Sequence, residues 1–529
     1  MSGSNRFIVA RRILFWVLLS ITCGAATTSF FEQTDWMSGF LATTILYFVA
    51  IGVLYGLFRF AGRGKTLAWL IGVAFVLRLG IGISLMEALP VVGYPTDQQK
   101  AGYVFFDAYR RDIQAANLAA SDAPILSAFT QRYSTDQYGG YLASSIFIYR
   151  YLSPEVHRPQ LLLILSALAG AAAVPFFWML TKRIWSEAFA TKAGWIFVLF
   201  PQSVLMGASQ MREPWLILFL TMAFWSLVEW KKTNNRRALW ALAISLAGFL
   251  FISPGLILLT VIFLAGWLLL ERRQKPIPVW VYLAGAGVIL VGIFAFAYGL
   301  SSPQQFAKNS PLEIIFKWFK NAIAWDVYLS TEGSGRLEFL FKSLPGILQF
   351  PFVIAYGVLQ PVLPAALLDK AQWIWNVISS ILAAGWYFLL PLLIYTPFAI
   401  RGEKDARLRN QLIWMTIVSW VWILICSARA GGDQWDNPRY RVIIMPWLAI
   451  LAAWAWQWAK EQRFVWLKRI WLVEGIFLLF FTQWYASRYY QLFGRLDLKA
   501  MMGIIFIISL LILLGGWIFD QRRERLNLK

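Results

Sequence analysis

Apolar runs of about 20 residues recur along most of this 529-residue chain, and no other feature restricts its fold as strongly. A helix needs roughly 20 residues, each rising about 1.5 Å, to cross about 30 Å of hydrocarbon. With 59% hydrophobic residues and a mean hydropathy of +0.60, the chain cannot be an ordinary soluble protein. The sequence predicts an all-α polytopic membrane protein.

The positive charge of the chain follows the topology of such a protein. There are 48 Lys and Arg against 27 Asp and Glu, a net charge of +21. The basic excess lies in alternate loops, which indicates the positive-inside rule and argues against a nucleic-acid partner. We therefore expect about 14 transmembrane helices with cytoplasmic N- and C-termini. Their expected positions are 13–31, 37–58, 66–87, 160–181, 193–209, a sixth span between Pro214 and Lys231, two short spans within 238–270, 278–299, 374–399, 411–428, 442–459, 470–486 and 500–519.

Polar stretches divide the chain into four expected parts. A two-helix N-terminal extension (1–65) precedes a core (66–300) whose first outer loop covers 88–159. A second outer segment (301–373) and the C-terminal transmembrane helices (374–529) follow. Both large outer-face loops should contain amphipathic helices, and the apolar part of the second is either re-entrant or interfacial.

The first outer loop contains a predicted helix with two aspartates, Asp107 and Asp112, among aromatic side chains that include Phe106 and Tyr109. A carboxylate held among aromatic rings at a membrane surface is a candidate general base. The simpler interpretation is a solvated amphipathic helix that lies on the bilayer.

Asp136, Gln137 and Tyr138 form another polar group in this loop, just before a predicted helix. Such side chains commonly bind carbohydrate hydroxyls, so these three and Tyr109 are candidate acceptor- or sugar-binding residues. Capping of the helix that follows is the simpler explanation.

Arg78 lies well inside the third expected span. A lone arginine there costs about 3 to 17 kcal/mol, depending on the reference state, so it should face a polar cavity or a carboxylate. We take it as a candidate ligand of a lipid phosphate. An internal salt bridge that fixes helix packing is the alternative.

Arg212, Glu213 and Pro214 follow one another at an outer turn, with the proline at a helix start. The planar guanidinium can bind phosphate through two hydrogen bonds, and a helix N-terminus adds free N–H groups. Arg212 is therefore a candidate phosphate ligand and Glu213 a candidate catalytic carboxylate. The alternative is a pair that anchors the chain at the membrane interface.

Arg439 and Arg441 lie beside Asp433 and Asp436 at the outer end of the twelfth expected span. Two arginines at alternate positions could hold the phosphate of a lipid head group, although interfacial arginines also extend toward water without a ligand.

Metal and nucleotide chemistry have no motif in this sequence. Cys23 and Cys426 both fall inside expected spans, and His157 is the only histidine, so no zinc spacing or histidine cluster exists. Phosphate-binding glycine loops and HExxH are also missing. The sequence therefore identifies no cofactor, and a divalent metal ion is possible but has no supporting motif.

The region from Leu67 to about Leu300 resembles the GT-C class of integral-membrane glycosyltransferases, which includes the protein O-mannosyltransferases and the aminoarabinose transferases. The resemblance rests on short motifs within under half of the chain. These are Arg78-Leu79, Asp107-Ala108, Phe200-Pro201, Arg212 to Pro214, and, farther on, the stretch from Asn437 to Pro446.

The resemblance implies inversion at a sugar carried on a polyprenyl phosphate, with transfer to a lipid or glycan acceptor at the outer face of a bacterial plasma membrane. Asp107 would act as the base, and Arg212, with Arg439 and Arg441, would hold the lipid phosphate. The chain departs from the pattern of this class in three ways: it has two extra spans before the core, the first loop has no Asp-x-Asp, and no soluble C-terminal domain follows. They argue against metal use and a peptide acceptor.

Two other functions fit a chain with many spans and outer-face arginines. One is a lipid-linked glycan polymerase or ligase, which also needs arginines for a lipid pyrophosphate. The other is a flippase or transporter, but transporters are commonly built from internal repeats with broken helices at the midplane, and the sequence shows no repeat.

Overall fold

The computed structural model describes residues 3–31, 35–130, 139–270, 279–301, 303–318, 320–321, 344–462 and 464–527, and these are helices and connecting loops without strands. Up to residue 308 the helices are α1 (Gly3–Phe31), α2 (Trp36–Phe60), α3 (Lys65–Val92), α4 (Asp97–Lys100), α5 (Phe106–Ala119), α6 (Gly140–Leu152), α7 (Gln160–Ile184), α8 (Glu187–Leu199), α9 (Pro201–Gly207), α10 (Glu213–Thr233), α11 (Arg236–Ile252), α12 (Pro254–Leu270), α13 (Val279–Leu300) and α14 (Pro303–Lys308). From residue 344 they are α15 (Gly346–Leu359), α16 (Leu363–Leu368), α17 (Trp373–Ala399), α18 (Ala406–Ala430), α19 (Asp436–Arg441), α20 (Met445–Glu461), α21 (Val465–Tyr490) and α22 (Leu498–Asn527).

Eight helices in the described part of the chain are long and apolar enough to cross a membrane, or nine if the bent pair α8 and α9 is one span. They confirm an all-α membrane protein. Helices also occupy the other expected positions, but the count of 14 and its sidedness stay predictions. The eight segments are Ile13–Phe31, Trp36–Phe60, Lys65–Val92, Gln160–Ile184, Trp373–Gly402, Ala406–Ala430, Asp436–Glu461 and Leu498–Arg522.

The chain forms two compact units, one of Met1–Gly266 with Arg273–Asn321 and one of Trp267–Arg272 with Ala322–Lys529. In the first unit α7 is the central helix, and 94% of its apolar window is buried inside the protein. Its middle runs through alanines and Gly170, whose small side chains allow neighbouring helix backbones to come close. In the second unit α20 is buried to a similar degree.

Proline interrupts a helix in each unit. Between α8 and α9 the chain bends by 59° at Pro201, and between α15 and α16 it breaks at Pro361. Proline has no N–H to donate, so carbonyls before each break lack their usual helical donor. At about 21 Å, α15 is too short to span a bilayer alone.

Candidate functional site

Helix α5 in the first outer loop has one buried face. Ala108, Arg111, Asp112, Ala115 and Leu118 are buried, whereas Phe106, Asp107 and Arg110 are exposed. The buried face packs against α6, so α5 is built into the protein rather than lying freely on a bilayer. This face contains two charged side chains, and both have partners from distant parts of the chain.

Asp112 is enclosed by three donors. Tyr103 donates a hydrogen bond to Oδ2 and Tyr149 donates one to Oδ1, while His157 Nε2 lies 2.7 Å from Oδ2. The aspartate side chain is 1% exposed and the histidine 30% exposed. A buried carboxylate with this many bonds is well stabilised, and its oxygens are already occupied by protein groups.

The tyrosines of this cluster remain protonated. Burial, together with the nearby Asp112 charge, raises the pKa of Tyr103 and of Tyr149 far above the usual tyrosine value. Both hydroxyls can therefore donate to Asp112 throughout the physiological range. The Asp112 cluster, consisting of Asp112, Tyr103, Tyr149 and His157, thus holds α5, α6 and the end of the loop together.

Arg111 connects α5 to the turn before α10. Its Nη2 donates to the Gln210 carbonyl and lies 3.8 Å from the Met211 sulfur, and its guanidinium lies 4.5 Å from the centre of the Tyr141 ring. Burial raises the pKa of Tyr141 to about 12, and this hydroxyl lies 3.2 Å from Ser166 Oγ. The charges of Arg111, Asp112 and Glu213 all influence the pKa of this one tyrosine, Arg111 lowering it and the two carboxylates raising it.

Arg212 and Glu213 lie directly after that turn. Arg212 is half-buried at the N-cap position of α10, while Glu213 begins the helix and is 1% exposed. Pro214 is the second residue of the helix, where a missing N–H costs nothing. The N-terminus of α10 therefore places a guanidinium at the positive end of the helix dipole, which favours an anion. The N–H groups of Trp215 and Leu216 already donate to the Arg212 carbonyl, and Pro214 has none to offer.

Asp107 lies in the first turn of α5, where a carboxylate favours the helix dipole. It is exposed, and Phe106 beside it is 50% exposed, so the expected shield of aromatic rings is wrong for this side chain. The Tyr109 ring packs instead against Tyr103, 5.4 Å away between centroids. Asp107 precedes Arg111 by four residues, which places both on the same side of the helix.

The polypeptide around this site is held by arginines. Arg150 of α6 donates to the carbonyls of Leu118, Ser121 and Ala123, at 2.6, 3.0 and 2.8 Å, where α5 has ended. Arg158, which is 1% exposed, lies 2.9 Å from Asp35 Oδ2. The hydrogen bonds from Arg150 cap the C-terminus of α5, and the ion pair between Arg158 and Asp35 connects the loop to the start of α2.

Arg78 is enclosed by protein. Its Nη1 donates to the carbonyls of Ala74 (3.1 Å) and Val198 (3.4 Å), and its Nη2 donates to Ser203 Oγ (3.1 Å). Among the described residues its hydrogen-bond partners are two carbonyls and a hydroxyl, and none of them is a carboxylate. Val198 and Ser203 belong to the bend between α8 and α9, and a role of Arg78 in phosphate binding stays a prediction.

Arg439 and Arg441 belong to the second unit and are both buried. Arg439 Nη1 lies 3.4 Å from Asp436 Oδ1. Arg441 Nη2 donates to the Gln360 carbonyl at 2.7 Å, and its guanidinium lies 3.4 Å from the centre of the Trp386 ring. Phosphate binding by either arginine also stays a prediction.

Asp136, Gln137 and Tyr138 lie outside the described residues. Their expected role in sugar or acceptor binding therefore has no structural description. In the part of the chain that is described, no three His, Cys, Asp or Glu side chains group in a way that could hold a metal ion.

Sequence reasoning missed Arg111, Tyr149 and His157 as members of the site. One signal was available, because Ala108, Asp112 and Ala115 follow one another at helical spacing and place the aspartate among small buried residues. A charge on a small-residue face needs donors from elsewhere. The identity of those donors, 37 and 45 residues farther along the chain, could not be read from spacing.

Comparison with known proteins gives a distant likeness. Neither a protein-family model nor a curated protein matches the chain. Eight chains of solved structures match, among them the archaeal oligosaccharyltransferase AglB from Archaeoglobus fulgidus in complex with an inhibitory peptide and a dolichol-phosphate. The TM-score is 0.36 at 13% identity, over 86% of this chain and 56% of that one. This chain thus spans little more than half the length of that structure, and a likeness this weak determines neither fold nor activity.

Proposed function

We propose that this protein is a GT-C-like membrane glycosyltransferase that takes a sugar from a polyprenyl phosphate and transfers it, with inversion, to a lipid or glycan acceptor. The proposal includes the 14-span topology, with the first loop at the outer face of a bacterial plasma membrane. One observation carries it most directly. The Arg111 bond to the Gln210 carbonyl joins the helix that bears Asp107 to the turn that leads into Arg212.

In the proposed reaction Asp107 takes the proton of an acceptor hydroxyl. The hydroxyl oxygen attacks the anomeric carbon of the donor sugar, and the bond from that carbon to the lipid phosphate oxygen breaks. The exposure of Asp107 suits this role, because an acceptor must reach the carboxylate. Asp112, whose oxygens are occupied, would position α5 and would not exchange protons with the acceptor.

The leaving phosphate gains negative charge as the sugar departs, and Arg212 would stabilise that charge. A guanidinium at a helix N-terminus provides a bidentate contact and favourable dipoles at the position where charge develops. Glu213, buried next to it in the chain, would orient this turn through its charge, which acts on Tyr141.

The decisive experiment compares Asp107→Asn with Asp122→Asn in a transfer assay with a labelled lipid-linked sugar. Loss of a positioned base should reduce turnover by about 100-fold to 10,000-fold while donor binding is retained. Asp122 is also exposed in the first loop, so its variant controls for the loss of one loop charge. Near-normal turnover by Asp107→Asn would contradict the proposed base.

A second experiment tests Arg212. We expect both Arg212→Ala and Arg212→Lys to lose transfer, because an ammonium group cannot reproduce the two-pronged contact of a guanidinium. Arg110→Lys, at an exposed position on α5, is the matched control. Full activity of Arg212→Lys would leave Arg212 as an interface anchor.

The topology has its own test. Cysteine placed at exposed Ser121 should react with an impermeant thiol reagent in intact cells, whereas cysteine at exposed Lys404 should react only after lysis. The opposite pattern would invert the orientation and move the site to the cytoplasm.

A further inference from the structure

A cavity of about 390 Å³ lies at the opposite end of the first unit's helices from the Arg111 contact. It is bordered by the last turns of α2, α7 and α10 and by the start of α11. The site described above lies instead at the start of α10, whereas Trp225 and Glu229 of the cavity lie in the second half of that helix. The cavity is therefore separate from the proposed active site.

Basic side chains dominate the rim of the cavity. Lys182, Arg183 and Arg237 line it together with one acid, Glu229. Arg183 Nε lies 3.3 Å from Glu229 Oε2, and Lys182 lies 2.7 Å from Glu187 outside the lining, where both partners are more than half exposed. Exposed pairs of this kind are weak, so the rim retains a net positive field.

The deeper wall is aromatic. Trp225 packs between Phe60 and Phe176, with ring centroids 5.3 Å from each, and Trp178 lines the same cavity. The cavity thus has cations at its mouth and aromatic rings on the side that continues into the apolar helix bundle. An amphiphile with an anionic head matches this arrangement, because rings accept its apolar part and cations its phosphate.

We propose that this cavity binds the phosphate head group of an anionic phospholipid. Lys182 and Arg183 in the last turn of α7 also complement the dipole of that helix, whereas Arg237 lies at the start of α11, where a cation does not. The interaction of these cations with helix dipoles does not explain why a cavity lies between the ends of four helices. A bound lipid does, because its head group fills the space.

The test measures phosphatidylglycerol binding to the full-length protein in detergent by native mass spectrometry, with phosphatidylcholine and inorganic phosphate as the other probes. Wild type should bind phosphatidylglycerol in preference to phosphatidylcholine. Lys182→Gln combined with Arg237→Gln, which leaves the Arg183 and Glu229 pair intact, should weaken phosphatidylglycerol binding by about 30-fold.

Two variants separate the cavity from general surface charge. Arg401→Gln combined with Arg407→Gln removes the same charge from exposed positions elsewhere and should leave binding unchanged. Ala61→Trp fills the cavity without changing charge and should also weaken binding. The proposal would be overturned if both lipids bound with equal affinity, or if inorganic phosphate displaced the lipid. It would also be overturned if binding were unchanged in the Lys182 and Arg237 variant or in Ala61→Trp.

Discussion

Arg78 in the first unit and Arg441 in the second solve the same problem in different ways. Each donates to a carbonyl next to a proline-interrupted helix, Arg78 to Val198 and Arg441 to Gln360. Arg78 does this with its stem packed against Gly170 and Gly207, where an added Cβ would come within 2.6 and 2.5 Å of its atoms. Arg441 does it with its guanidinium stacked on Trp386.

The surroundings of the two arginines differ more than the arginines do. Three side chains donate hydrogen bonds to carbonyls at the end of α15. Asn437 Nδ2 donates to the Gly357 carbonyl, Trp386 Nε1 donates to the Val358 carbonyl, and the Tyr387 hydroxyl donates to the Leu359 carbonyl. The Val198 carbonyl depends on Arg78 alone among the contacts described. A guanidinium inside an apolar protein can thus serve a broken helix, and burial by itself does not indicate a ligand site.

The largest expected effect is that of Arg78→Ala. The change leaves a void between α3, α7 and α9 and removes a donor from Val198, so we expect the unfolding free energy to fall by about 3 to 5 kcal/mol. Thermal unfolding in detergent measures it, with exposed Arg110→Ala as the control. A loss no larger than that of the control would show that the bend does not need Arg78.

Arg441→Ala should cost less, about 2 to 3 kcal/mol, because Trp386, Tyr387 and Asn437 still satisfy the neighbouring carbonyls. The same unfolding measurement, made next to Arg78→Ala, tests the difference between the units. If Arg441→Ala lowers the unfolding free energy more than Arg78→Ala does, the additional donors at the end of α15 do not stabilise the protein.

Gly207→Ala should follow, with a loss of about 1 to 2 kcal/mol, because the new methyl group would press on the Arg78 side chain. Gly56→Ala is a matched control in the same unit, since an added Cβ there meets nothing within 4 Å. The control should be neutral or stabilising, as alanine favours helices. Equal behaviour of the two variants would mean that Arg78 can move aside.

The smallest effect concerns Asp35, the partner of buried Arg158. Hydrogen bonds from Ser38, followed by Arg158, lower the pKa of Asp35 below its usual 3.8. The stabilisation is therefore complete above that value and is lost as the pH falls through the lowered pKa. Asp35→Asn should reduce the melting temperature slightly at neutral pH, and the gap should close in acid. A gap that persists below the lowered pKa would point to packing instead of charge.

Much of the helix pattern could be predicted from the sequence. The break at Ser253 to Gly255 separates α11 from α12 as expected, and Pro214 occupies the start of α10. Both follow from local chemistry, because proline and glycine restrict or relax the backbone wherever they occur. The candidate site was predicted less completely: Asp112 was identified as a candidate catalytic carboxylate, but its enclosure by Tyr103, Tyr149 and His157 was not predicted.

The sequence by itself determined that this chain forms membrane helices, where several of them break and which loop is polar, because hydrocarbon accepts only long apolar helices and proline cannot donate. Only the tertiary structure decided which donor serves which acceptor. Arg78 and Val198 are 120 residues apart in the chain, Arg111 and Gln210 are 99 apart, and Arg441 and Gln360 are 81 apart. At such separations a hydrogen bond forms only where helix packing brings its two groups together, and no local pattern encodes that packing.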